Sequence, residues 1–234
     1  MSKRSDIIDG QDAYIAKYGL IYTELLGWID LGHAQGNDIK KLLSQMELGE
    51  ASKMESYDVR YTQGMTAPFG VMRSGKVMSW KIRRGRPYWE REQIALAMMI
   101  SMSYQFEAFQ GAFPNNIVTD SSFSGEDLVS NLLGFYRVIS QQNPFPQLLP
   151  ISKEEALERW DYYGEIGQWK NKTFEPLLFP DPKENPHARP LRGTLPPFMR
   201  TVIPYNDFKS DKVTIPLQDK TFIILGSRSG RMGL

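Results

Sequence analysis

One stretch, residues 91–111, limits the fold of this chain more than any other. It reads REQIALAMMISMSYQFEAFQG, and its apolar side chains recur at a helical step around most of the circumference. Charged residues stand at its start, and the next one along the chain is Glu107. A helix that is apolar on nearly all sides is normally buried. The sequence therefore predicts a buried central helix over about residues 90–110.

Glu107 is the most informative residue of this helix. It shares a face with Ile100, Ser103 and Tyr104. A carboxylate in such a place is either paired or has a raised pKa, because desolvation disfavours the charged form. A carboxyl group that keeps its proton can act as a general acid. In the alternative interpretation, Glu107 lies just past the buried turn and contacts solvent or backbone.

A second helix start follows the central helix. The segment Ser124-Gly125-Glu126-Asp127 is typical of a helix N-terminus, with Ser124 as the N-cap and Asp127 at the N3 position. Capping would explain both acids, since negative charge is favourable in the first turn. Alternatively, the capped helix presents Glu126 and Asp127 toward Glu107.

His33 is one of only two histidines, and it closely follows Asp30 in the segment IDLGH. A lone histidine is more often structural, but a neighbouring aspartate can orient an imidazole that takes part in chemistry. The other histidine, His187, has no evident partner in the sequence. A metal site would need one of these histidines with carboxylates, a weak signal. We therefore predict no metal ligands and no cofactor.

The rest of the chain predicts strands and an extended segment. Residues 57–84 alternate like strands, with a hairpin turn at Ser74-Gly75 and with Met78, Trp80 and Ile82 on one face. Residues 213–216 and 220–225 suggest a closing hairpin around 217–219, and residues 175–210 a proline-rich wrap. The predicted fold class is α+β, a helical core around the central helix with a small antiparallel sheet, in a single domain over residues 1–234.

Composition excludes several classes of function. The net charge of +1 gives no preference for nucleic acid, and the absence of cysteine excludes disulfides and thiol catalysis. No apolar run follows Met1, so we expect synthesis in the cytoplasm without a signal peptide. No stretch is apolar for long enough to predict membrane insertion. The motifs of P-loop, Rossmann, zinc-protease and nucleophile-elbow enzymes are absent.

Three stretches resemble a bacterial family known as domain of unknown function four-zero-five-six. They are GLIYT running into IDLGH, the central helix ending in Glu107, and SSFSGEDLVSNLLG at 121–134, together within about residues 19–140. The last is the most specific. The family pattern has Trp-His-Glu where this chain has Gln105-Phe106-Glu107, and a cysteine in place of Glu24. The resemblance thus keeps the carboxylate, does not imply a two-histidine metal site, and supplies no activity.

Three functional hypotheses follow. The first is a hydrolase of a glycan or bacterial cell-wall polymer, with Glu107 as the acid and a second acid from Asp30, Asp120, Glu126 or Asp127. It includes an antibacterial effector, exported by a dedicated secretion system to a target periplasm, with a cognate immunity protein as partner. The second is another class of hydrolase built on His33, Asp30 and Glu107, with a metal or a serine nucleophile. The third is a binding or structural module. Candidate substrate-binding residues are Ser122, Ser124, Tyr104, Trp28 and Arg84.

Overall fold

The computed structural model describes residues 2–66, 72–110, 123–140, 142–216 and 220–225. Within these ranges the helices and strands confirm the α+β class. The helices are α1 (Asn37–Ala51), α2 (Tyr88–Gln110), α3 (Asp127–Ile139), α4 (Phe145–Leu148) and α5 (Lys153–Tyr163). The strands are β1 (Leu20–Thr23), β2 (Gly27–Asp30), β3 (Ser56–Thr66), β4 (Met72–Arg83), β5 (Leu177–Leu178), β6 (Leu191–Arg192), β7 (Val213–Thr214) and β8 (Lys220–Leu225).

The predicted central helix is confirmed as α2. Ile94, Ala95, Met98 and Met102 are fully buried within the larger core cluster. This cluster also contains side chains of α1, α3, β3 and β4. The apolar surface of α2 is therefore covered by the elements that carry the candidate site, which fixes the end of the helix against them.

The strands form two sheets instead of the one small sheet that was predicted. The first has the order β1-β2-β5-β6, with β2 and β5 parallel and the other pairs antiparallel. It packs with α5 around a second apolar cluster. The second has the order β3-β4-β7, and β8 also pairs with β4. The proline-rich segment 175–210 contains β5, β6 and a 3-10 helix, Pro197–Arg200.

Two turn predictions in the second sheet are wrong. Ser74 and Gly75 lie inside β4, where Ser74 faces Met65 on one side and Ile223 on the other. Pairing on both sides of β4 outweighs the local preference of Ser-Gly for a turn. The connection between β3 and β4 falls at residues 67–71, outside the described ranges. β7 and β8 do not form a hairpin with each other, because both pair antiparallel with β4.

Candidate active site around Glu107

A cavity of about 450 Å³ lies where α1, β3, the end of α2 and α3 meet. Most of its lining residues are polar, and they include acidic, basic, amide and hydroxyl side chains. The lining residues are Gly32, His33, Gln35, Gly36, Asn37, Asp38, Lys41, Gln45, Arg60, Tyr61, Thr62, Gln63, Gly64, Phe106, Glu107 and Asn131.

Glu107 is on the wall of this cavity, in the last turn of α2. Its side chain is only 2% exposed, and its Oε2 accepts the backbone N–H of Phe123 at 2.6 Å. Burial raises the pKa of Glu107, although the Phe123 N–H and the His33 charge oppose that rise. The sequence left a buried acid and a backbone-bonded acid as alternatives, and Glu107 has features of both.

Phe123 holds its amide toward Glu107 in an unusual backbone conformation. Its φ angle is 53°, in the left-handed region that residues other than glycine seldom adopt. Such conformations persist where the surroundings fix them, and they are frequent at functional sites. The Glu107 carboxyl is thus held by a constrained donor at the entry to α3.

Glu126 and Asp127 form an acidic cluster with Glu107. Glu126 is 2% exposed, its Oε1 accepts the Ser2 hydroxyl at 2.8 Å, and its Oε2 is buried without a hydrogen-bond partner among the described residues. Burial raises the pKa of Glu126, and the charge of Asp30 adds to the rise. Burial also raises the pKa of Asp127 well above its ordinary value, with further contributions from the charges of Glu126 and Glu107. Because each charge disfavours ionisation of the next, the cluster retains protons to a higher pH than isolated carboxyl groups do.

The start of α3 differs from the predicted N-cap. The Asp127 carboxylate accepts the Ser124 N–H at 2.9 Å, which is the reciprocal bond of a capping box. The Ser124 hydroxyl, however, is buried and has no partner among the described residues. The helix begins at Asp127, and Glu126 precedes it without a side-chain cap. Ser124 therefore does not act as an N-cap.

Asp30 and His33 lie beside the acidic cluster, but Asp30 does not orient the His33 imidazole as the sequence suggested. Asp30 Oδ1 accepts the backbone N–H groups of Gly32 at 2.6 Å and His33 at 3.2 Å. No hydrogen bond joins its carboxylate to the His33 imidazole in the described part of the chain. The aspartate thus fixes the turn after β2, because its acceptor capacity is directed to backbone donors. His33 is exposed on the cavity, and its charge lowers the pKa of both Glu107 and Glu126.

The remaining predicted site residues are dispersed. Tyr104 is 39% exposed and packs edge-on against Phe174, with ring centroids 5.6 Å apart. Trp28 is 3% exposed in the second core cluster, where it packs edge-to-face against Tyr22 and Trp160. Arg84 donates to the Ser52 carbonyl at 3.0 Å. None of Tyr104, Trp28 and Arg84 lines the cavity, and Ser122 and Asp120 lie outside the described residues.

Sequence reasoning missed the wall contributed by α1 and β3. The Tyr61 hydroxyl donates to the Asp38 carboxylate across the two elements. Burial, together with the Asp38 charge, raises the pKa of Tyr61 well above its ordinary value. In the sequence, an acid in the first turn of a helix is explained by the helix dipole alone. For Tyr61, the strand-like alternation of residues 57–84 was the only available signal.

Metal binding and membrane crossing find no support within the described ranges. There, no group of three or more His, Asp or Glu side chains is arranged to hold a metal ion. Nor does any described helix combine the length and apolar character needed to cross a membrane.

Comparisons with protein-family models, curated proteins and solved structures found no match for this chain. The resemblance to domain of unknown function four-zero-five-six stays a prediction. The fold and the site together define an α+β protein with a cavity lined in part by carboxyl groups.

Proposed function

We propose that this protein is a hydrolase of a bacterial cell-wall glycan, with Glu107 as its general acid. The proposal depends on one observation: a carboxyl group with a raised pKa stands on the wall of an accessible cavity while being almost wholly shielded from solvent. General acids in glycoside hydrolysis are carboxyl groups kept protonated by such surroundings.

Asp38 is the second carboxylate of the proposed mechanism. It lines the same cavity, and it accepts hydrogen bonds from the Tyr61 hydroxyl and, at 3.0 Å, from the Ile39 N–H. In both bonds the Asp38 carboxyl group is the acceptor. Glu126, Asp127 and Asp30 do not line the cavity, and the charge of Glu126 acts on Glu107 from behind the wall.

The lining also supports a sugar ligand. Amide and hydroxyl side chains provide donors and acceptors for hydroxyl groups of the sugar. Gln63 has a buried side-chain oxygen without a partner among the described residues, so this acceptor is available to a ligand donor.

The reaction would proceed by acid catalysis. The Glu107 carboxyl donates its proton to the glycosidic oxygen as the bond from that oxygen to the anomeric carbon breaks. A water molecule adds to the anomeric carbon, and Asp38 accepts its proton. The charge of Glu126 disfavours loss of the Glu107 proton before substrate binds. As an exported effector, the protein would lyse target cells from the periplasm.

Glu107→Gln tests the proposal. The variant removes the acid while keeping the shape of the side chain, so we expect release of reducing ends from purified cell walls to fall by about 10²–10⁴-fold. Expression directed to the periplasm should then no longer lyse cells.

The matched control is Glu92→Gln on the same helix. Burial also raises the pKa of Glu92, but Glu92 does not line the cavity. We expect this variant to keep wild-type activity. A folded Glu107→Gln protein that is as active as wild type would refute the proposed function.

A further inference from the structure

The strand β3 leaves one edge of the second sheet open toward the cavity. Its neighbour in the sheet is β4, on one side only. Arg60 directs both backbone groups to the other side, because its N–H and C=O each bond the Gln45 side-chain amide at 2.9 Å. Alternate residues of an antiparallel strand direct these groups the same way. The N–H and C=O of Thr62 and Gly64 therefore also face away from β4.

Thr62 and Gly64 line the cavity. Gln45 occupies the edge at Arg60, and no described residue forms a backbone hydrogen bond with the outward side of β3 beyond that point. An open strand edge is a template for a further extended chain, which gains affinity from main-chain hydrogen bonds. The cavity therefore offers a row of peptide-type donors and acceptors.

Two cationic residues flank this row. Lys41 and Arg60 both line the cavity. The Gln45 side-chain amide donates to the backbone carbonyls of both residues, at 3.3 Å to Lys41 and at 2.9 Å to Arg60. Neither side chain forms an ion pair with a carboxylate of the described residues. Cations in this position favour a ligand that carries a carboxylate.

We propose that the open edge of β3 binds an extended peptide that carries a carboxylate, with the peptide paired to Thr62 and Gly64 and the carboxylate between Lys41 and Arg60. This inference rests on the proposed function and deepens it, because cell-wall polymers join glycan strands to short acidic peptides. The peptide arm would lie along β3 while the adjoining sugar reaches Glu107. The substrate class is thus a glycopeptide and not a bare glycan.

Thr62→Pro tests the backbone pairing. Proline removes the outward N–H but no bond of the β3–β4 ladder, and proline is accepted on edge strands. The control is Asp58→Pro. Like Thr62, Asp58 directs its backbone N–H and C=O away from β4, but it lies outside the cavity. Binding is measured by calorimetry in the Glu107→Gln background, which prevents turnover. The probes are a soluble disaccharide–tetrapeptide with free carboxylates and the same disaccharide without peptide.

We expect Thr62→Pro to weaken binding of the disaccharide–tetrapeptide by about tenfold, with Asp58→Pro unchanged. The double variant Lys41→Met/Arg60→Gln, with Lys40→Met as control, should weaken it by a similar factor of about ten and reduce its salt dependence. This second variant leaves the strand intact and decides the matter if the proline variant does not fold. Binding of the peptide-free disaccharide should be the same in all variants.

Equal binding of the disaccharide–tetrapeptide by the test and control variants, or no binding at all, would overturn the peptide site. A loss confined to the peptide-free disaccharide would assign the edge to sugar and overturn it as well. Neither result bears on Glu107, whose role is decided separately by cell-wall hydrolysis in the otherwise unaltered chain. Failure of the two proposals is therefore distinguishable.

Discussion

Some residues behind the cavity wall have buried polar atoms that lower the free energy of unfolding. Glu126 and Ser124 each have a buried oxygen without a partner among the described residues. Unpaired buried polar groups destabilise a fold, and natural proteins keep few of them. Here they lie next to Glu107, the proposed general acid, which needs a raised pKa to keep its proton.

The buried acids also make the free energy of unfolding depend on pH. The pKa values of Glu107, Glu126 and Asp127 are raised above their ordinary values of 4.5, 4.5 and 3.8, so the folded state binds more protons than the unfolded state above these values. The stabilisation is therefore fully present below the ordinary values and is lost as pH rises through the raised ones. Each extra bound proton changes the free energy of unfolding by about 1.4 kcal/mol per pH unit.

We predict that Glu126→Gln reduces this dependence. The free energy of unfolding of the wild type should decrease as the pH rises above the ordinary pKa values of these acids, and the variant should show a shallower decrease. Urea unfolding at a series of pH values measures both slopes. Glu154→Gln, a change in an exposed acid of α5, is the control. Identical slopes for wild type and Glu126→Gln would mean that Glu126 is not held in its protonated form.

At the scale of elements, locally encoded features were predicted and nonlocal ones were not. The periodicity of α2 depends on neighbours within a few residues, and the sequence predicted this helix. The capping box that opens α5 is a local feature of the same kind. The pairing of β7 and β8 with β4 depends on residues far apart in the chain. Ser74-Gly75 was wrongly assigned to a turn, because turn preference is visible locally and pairing on both sides of a strand is not.

Two serines that look alike in sequence should behave differently. The Ser152 hydroxyl accepts the Glu155 N–H at 3.3 Å as a true N-cap, whereas the Ser124 hydroxyl is buried without a described partner. We predict that Ser152→Ala lowers the free energy of unfolding by about 1 kcal/mol. Ser124→Ala should leave it unchanged or raise it, since no hydrogen bond is lost.

Chemical denaturation of the two variants under identical conditions makes the comparison direct. A larger loss in Ser124→Ala than in Ser152→Ala would show that Ser124 is the more effective cap after all. That result would return the start of α3 to the position predicted from sequence.

For the molecule as a whole, part of the site was accessible from sequence. Glu107, Glu126 and Asp127 were predicted because an acid beside an apolar helix and acids at a helix start are local signals. The facing wall was not, because Asp38 and Tyr61 meet only when α1 packs on β3. Trp28 was expected at the site as a ligand-binding aromatic, but it belongs to the second core cluster. Nothing in its local sequence separates these two roles.

The account as a whole depends on the Glu107 carboxyl keeping its proton beside the cavity. Carbon-detected NMR titration of the Glu107 side-chain carboxyl, assigned by comparison with Glu107→Gln, measures this directly. We predict a pKa above the ordinary 4.5, and a lower one in Glu126→Gln, where a neighbouring charge is removed. A Glu107 pKa at or below 4.5 in the wild type would contradict the account, because the carboxyl would then be ionised where an acid is required.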